Sequence, residues 1–355
     1  MRKRTVAVLV AVLTFALGVA IAKLSLPLKS HISPVPERQF VPLNNYRLTG
    51  PFEHDNLSIY LIHAPDAPQT NTDFMPLAEA MERKLVIVHE TNDVNELAIE
   101  NLSLSQEVLV QAGDIVKGGQ QDRVLAVDLI LPSRSRPIPI AAFCVEQGRW
   151  RQRGSEQVDQ FTITEMVATK GLKIATRRDA DQQKVWDRVS VAQEGLSAGV
   201  AQDVRSRVSE PSLPLALEHE KVQEAAAAYV STLSAVVHES SDAIGFAFSI
   251  NNILNSAEVY ASNKLFKRFW PRLLKAAAIE AVSQKTTLEE KAVVSMSMVT
   301  RFLADGESGS ESLREVDSRT HMLKREGKLS LFFETRDMAQ RGDWIHRSYL
   351  NDSDW

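Results

Sequence analysis

Two short stretches of the chain gather the side chains best suited to chemistry. The first is Gly113-Asp114-Ile115-Val116-Lys117-Gly118-Gly119-Gln120-Gln121-Asp122-Arg123; the second is Cys144-Val145-Glu146-Gln147-Gly148-Arg149-Trp150. Glycines permit backbone conformations that other residues avoid. Successive N–H groups in such a turn can cradle an anion. Gly118, Gly119, Gln120, Gln121 and Arg123 are therefore candidate ligand contacts, joined by Gln147 and Arg149 from the second stretch. Arg149 has the planar fork that grips a carboxylate or phosphate. Three readings stand open. The leading one is a binding module for a small polar or anionic ligand. The second is a hydrolase in which Glu146 acts as general base, with Arg123 and Arg149 stabilising developing charge. The third is structural: a hairpin whose glycines serve tight turns, pinned by a Glu146–Arg149 or Glu146–Arg123 ion pair. The first two require the turns to meet at an open pocket. The third requires them to be buried against each other.

The common cofactor signatures do not occur. Gly113–Arg123 lacks the Gly-Lys-Ser/Thr of a phosphate-binding loop and the Gly-x-Gly-x-x-Gly order of a dinucleotide fold. The eight histidines include no pair at metal-ligand spacing, and there is no Gly-x-Ser-x-Gly. No cofactor or metal is implied. Cys144 is the single cysteine, so no disulfide can form within the chain. It lies in the apolar run Ile138–Val145 and reads as a packed core residue.

Strands and turns must position these residues. Leu57–His63, Leu85–Glu90, Glu107–Gln111, Val124–Leu131 and Ile138–Val145, with Glu96–Asn101 alternating polar and apolar as a half-buried strand does, are short and closely spaced, as in an antiparallel unit of sandwich or barrel type. Residues 65–72 read as a loop, and Phe74–Arg83 as a short helix with Pro76 in its first turn. Helical spacing then takes over at Asp179–Gln193 and the alanine-rich Leu217–Val237. Ile244–Ile250 and Ala257–Tyr260 form a hairpin across Asn251-Asn252. Ser262 caps a helix through Leu265, Phe269 and Leu274, which Pro271 should kink or divide. Lys264, Lys267, Arg268, Arg272 and Lys275 fall on its solvated side. Thr287 and Glu290 suggest a capping box for a last helix to Leu303. Asp305–Ser312 reads as a loop, and Leu329–Glu334 with Trp344–Leu350 as a final strand pair. The fold class is α+β: an antiparallel β-rich part at 46–175 packed with a mainly helical part at 176–350.

The N-terminus predicts an address. Arg2, Lys3 and Arg4 precede an apolar run from Thr5 to Ala22 that ends in the small-x-small pattern Ala20-Ile21-Ala22. Residues 1–22 are either a cleaved signal peptide or a membrane anchor through residues 5–22, followed by a Pro/Ser-rich tether at 23–45. Either places the body in the cell envelope, outside the cytoplasmic membrane. The 355-residue chain carries a net charge of −4, or −7 without those three cations, which argues against a nucleic-acid partner.

The two motifs together resemble a known family, the domain associated with ADP-ribosylglycohydrolases and rhodanese-phosphatase proteins (type 1). The matching residues are Gly113, Gly119, Gln121, Arg123, Leu129–Leu131 before Pro132, Ile138-Pro139, and the Cys144–Trp150 string. Gln182, Val185-Trp186, Gly245-Phe246-Ala247 and Leu265–Leu274 fit the same pattern, and the likeness spans about residues 45–350. Two departures stand out: only Asp114 is acidic after Gly113, and Ala276-Ala277 replaces an expected Ser-Tyr pair. The resemblance implies a link to NAD or ADP-ribose metabolism and names no reaction.

Overall fold

The largest sheet takes strands from both ends of the chain. In the computed structural model, which describes residues 46–64, 73–91, 93–154, 156, 160–238, 240–285 and 292–352, eight strands pair antiparallel. Their order is Arg47–His54, Leu57–His63, Ala243–Ile250, Ile253–Tyr260, Asp343–Asn351, Ser330–Asp337, Thr320–Glu326 and Ser310–Glu315. Leu57–His63 is buried along its whole length, as a strand covered on both faces must be. Asn251 and Asn252 both hold positive φ, +51° and +58°, the geometry of a tight two-residue hairpin that asparagine tolerates.

A second sheet of six strands carries the two motif turns. Its order is Phe161–Val167, Asp114–Gly118, Arg123–Leu125, Ile138–Cys144, Glu96–Asn101 and Val86–Glu90. Met75–Pro76, Val108–Val110 and Leu129–Leu131 make a third, small sheet; Met75–Pro76 on Val108–Leu109 is the parallel pairing among the described residues. With antiparallel sheets packed by helices, the fold is α+β. The described residues belong to one compact unit.

The helix Asn263–Ser283 packs against the large sheet. The Ser262 hydroxyl accepts the Leu265 N–H at 3.2 Å and caps its start. Phe266, Phe269, Trp270, Leu273 and Leu274 are buried, and Phe269 stacks on Tyr260 at 4.9 Å between centroids. Pro271 does not divide the helix. Its cationic side is stitched into the fold rather than simply solvated. Lys264 bonds Asp73, Arg268 bonds Asp73 and Glu79, Lys275 bonds Glu165, and Arg272 reaches buried Asp114 at 2.5 Å.

Several local expectations are corrected. Val124–Leu131 is two strands in different sheets, Arg123–Leu125 and Leu129–Leu131. The break places Asp128 inside, where it accepts the Ala112 N–H at 2.7 Å and the Thr335 hydroxyl. Pro76 precedes the helix Leu77–Glu82 as its cap instead of entering its first turn. Asp305–Ser312 is not a loop: the helix Met296–Glu307 covers its start, and the strand Ser310–Glu315 begins inside it. Ser295 caps that helix through the Met298 N–H, while Thr287 and Glu290 lie outside the described residues, as do residues 65–72 and 1–45. Phe161–Val167, Thr320–Glu326 and the helix Lys170–Ile174, which runs on as a π-helical turn Ala175–Asp179, are elements that the spacing does not announce.

Candidate functional site

The hairpin joining Asp114–Gly118 to Arg123–Leu125 brings the first motif against the second. Gly119 sits at φ +53°, and a Cβ there would lie 2.2 Å from the Phe161 ring and 2.5 Å from Glu90 Oε1. Only glycine fits. Four of the turn's N–H groups point at groups of the protein itself. Gly118 donates to Asp122 Oδ1 at 2.9 Å, Gly119 to the Gln160 carbonyl at 3.3 Å, Gln120 to Glu90 Oε1 at 2.7 Å and Asp122 to Glu146 Oε2 at 3.3 Å. The expected anion cradle is thus filled by the chain's own carboxylates.

Behind this turn two carboxylates and two guanidinium groups form a closed knot. Arg149 donates through Nε to Glu146, and through its Nη groups to the carbonyls of Gly119 (2.9 Å), Gly118 (3.0 Å) and Arg151 (2.7 Å). Arg153 donates to Asp122 at 2.7 and 3.1 Å and to Glu146 Oε1 at 3.1 Å. The hydroxyls of Ser209 and Ser212 close it, donating to Glu146 and Asp122. Asp122 and Glu146 are fully buried, and Arg149 and Arg153 nearly so. Burial raises the Glu146 pKa, but Ser209 and Arg149 outweigh it and hold the carboxyl below its usual value. At Asp122 burial wins over Arg153 and the pKa is raised. A carboxylate depressed and bonded at both oxygens is a poor general base.

Arg123 is different. It is completely buried, yet one of its three nitrogens is engaged: Nη1 donates to Gln121 Oε1 at 2.7 Å. Nε and Nη2 find no hydrogen-bond partner among the described residues. These two nitrogens share one edge of the guanidinium, the edge that takes a carboxylate or phosphate through two parallel bonds. The Trp150 ring, itself 45% exposed, lies 5.5 Å from the guanidinium carbon. Burial pushes the Arg123 pKa down. Gln121 is held in turn by donating to the Glu146 carbonyl at 3.3 Å. Gln147 points outward and lines an adjacent pocket of about 230 Å³ with Trp186, Gln193, Arg205 and Glu210. Cys144 is buried, its thiol donating to the Glu146 carbonyl, and burial raises its pKa.

A second polar chain crosses the interior. Lys173 donates to Glu258 at 2.5 Å; His346 bridges Glu258 (2.9 Å) and Asp128 (2.7 Å) through its two ring nitrogens. Tyr260 stacks on the imidazole at 4.6 Å. Burial alone would lower the His346 pKa, but the two carboxylates lift it to about 9. Their own values fall despite burial, Glu258 to about 2 and Asp128 well below the usual range. Among the described residues no cluster of His, Cys, Asp and Glu could hold a metal ion.

The fold therefore gathers Gly118, Gly119, Gln121, Arg123, Glu146 and Arg149 into one buried place, with Gln120 at its edge and Gln147 on the far, exposed side. Asp122, Arg153, Ser209 and Ser212 complete the knot without having been singled out. Asp122 lies inside the first motif and Arg153 just past the second, so adjacency was a usable signal. Ser209 and Ser212 lie more than fifty residues on, and nothing local marks them. A family model matches residues 45–350, which hold both turns and the interior chain. The chain belongs to the ARG and Rhodanese-Phosphatase-superfamily-associated Protein domain family. This domain carries no assigned biochemical role. No curated protein and no solved structure is detectably similar to the chain.

Proposed function

We propose that the protein is a binding module for a small anionic ligand and that Arg123 is its anchor. One observation carries this reading: a wholly buried guanidinium whose two-donor edge makes no bond with the described residues, beside two arginines whose forks are filled. Leaving a buried donor unbonded costs on the order of 1–3 kcal/mol, more for a charged group. An oxyanion on that edge would offset the cost. Gln121 fixes the fork in place, and Trp150 is the exposed group able to uncover it. The two turns are buried against each other, as the structural reading requires, so Arg149 and Arg153 serve as scaffold and Glu146 as their counter-ion rather than a base. The binding reading rests on Arg123 alone and needs Trp150 to move aside. The family association makes ADP-ribose and NAD the first metabolites to try, with inorganic phosphate and acetate as minimal probes. The test is thermal unfolding of the full chain with each probe. A ligand at a hundred times its Kd adds about 2.7 kcal/mol of stability. The shift should vanish in Arg123→Lys, which keeps the charge and loses the fork. Trp150→Ala alters an exposed side chain and should change the Kd while the protein still folds. Stabilisation that survives Arg123→Lys unchanged would refute the anchor.

The basic, apolar and small-residue pattern of residues 1–22 supports an envelope location, with the body exported or anchored. Among the described residues no helix is long and apolar enough to cross a membrane. A reporter that works only in the cytoplasm, fused after Trp355, should be silent; an active fusion would contradict export.

A further inference from the structure

The surroundings of Arg123 hold a second unsatisfied group, of opposite charge. Glu90 ends the edge strand Val86–Glu90 of the six-stranded sheet. Its Oε1 accepts the Gln120 N–H at 2.7 Å, which ties it to the same turn that carries Arg123. Its Oε2 is buried and finds no partner among the described residues. The two groups are near enough for the Glu90 charge to act on Arg123, yet they form no ion pair with each other. Each has a tether of its own: Arg123 donates to Gln121, and Glu90 accepts from the Gln120 N–H. Gly119 keeps the place narrow, because any side chain there would collide with Glu90 and Phe161.

A cation fork and a carboxylate oxygen beside the same turn, both buried and both with bonding capacity left, are complementary to a small dipolar molecule. We infer that the ligand anchored by Arg123 is an α-amino-acid-like zwitterion, with its carboxylate on the Arg123 edge and its ammonium group on Glu90 Oε2. The inference rests on the reading of Arg123 as anion anchor. It adds the second point of recognition and the class of ligand. A carboxylate bonded by two parallel N–H groups and an ammonium facing a carboxylate use charge-assisted bonds at both ends. A site built to bond a donor rejects the analogue that lacks it, because the site's own group is then left unpaired.

The experiment compares molecules of nearly one shape by calorimetric titration of the full-length protein. Alanine carries both groups, propionate the carboxylate alone, ethylamine the ammonium alone, and lactate a hydroxyl in place of the ammonium. Alanine is expected to bind at least tenfold more tightly than propionate and lactate, and ethylamine not measurably. Glu90→Gln keeps an oxygen for the Gln120 N–H and removes the charge; it should bring alanine down to the level of lactate. Propionate or lactate binding as tightly as alanine, with all binding lost in Arg123→Lys, would overturn the zwitterion while leaving the anchor standing. No heat from any carboxylate, from inorganic phosphate, from ADP-ribose or from NAD would overturn both.

Discussion

Replacing His346 by glutamine probes the interior polar chain most sharply. In the folded protein the imidazole is bonded to a carboxylate on each side, and its pKa lies at about 9 instead of the ordinary 6.5. A difference of that size corresponds to about 3 kcal/mol of folding stability, at ~1.4 kcal/mol per pKa unit. The sign follows from the direction. The folded pKa is raised, so the contribution is complete below pH 6.5, shrinks as pH rises from there, and is gone above pH 9. Over that interval the protein should lose up to about 1.4 kcal/mol per pH unit from this group alone. The carboxylates Asp128 and Glu258 are depressed, so their contribution is present above their unfolded values near pH 4 and is lost as the pH falls through the folded ones. His346→Gln leaves Glu258 to Lys173 and Asp128 without its imidazolium partner, and should cost about 3–5 kcal/mol near neutrality. Urea unfolding of both proteins between pH 6 and pH 10 is the assay. The difference between the two stability curves should narrow steadily from pH 6.5 to pH 9. A difference that stays constant across that range would refute the assignment of a buried imidazolium.

The knot and the turns yield further expectations. Arg153→Ala or Asp122→Asn removes one partner from a buried charge group and should cost about 3–5 kcal/mol in urea unfolding, whereas Gln147→Ala, on the exposed side, should change stability by less than about 0.5 kcal/mol. Gly119→Ala places a methyl group 2.2 Å from the Phe161 ring, and soluble expression with an unchanged melting temperature would contradict the described turn. Ser262→Ala removes the cap of the helix Asn263–Ser283 and should cost about 1 kcal/mol, read from the same unfolding curves.

Local chemistry made much of the fold legible. Leu57–His63 and Glu96–Asn101 stand where their apolar runs end, because turn residues bound them on both sides. The Asn251-Asn252 hairpin and the Ser262 cap are set by residues in direct sequence contact. What escaped was set at long range. The strand expected over Val124–Leu131 is apolar but for Asp128, and nothing in its pattern shows that Asp128 must turn inward to meet Thr335 and His346, both more than two hundred residues later. The cationic face of Asn263–Ser283 has the spacing of a solvated side; its partners Asp73, Asp114 and Glu165 come from another part of the chain. The two motif turns do come together in the fold, but the contacts between them were legible only in part. Glycines and charged residues at close spacing marked the two turns, but the knot is closed by Ser209 and Ser212, which arrive from more than fifty residues on.

The central claim is that Arg123 offers a free, two-donor edge to an anion while Arg149 and Arg153 do not. Nitrogen-15 NMR of the arginine side chains reads it directly, since a buried guanidinium keeps its Nε–H in slow exchange, and the Arg123 signal is identified by its loss in Arg123→Lys. On titration with alanine, and separately with inorganic phosphate as a simple anion, the Arg123 Nε–H resonance should move and saturate while those of Arg149 and Arg153 hold still. A titration in which the Arg123 resonance stays fixed, or in which all three move together, would contradict the account.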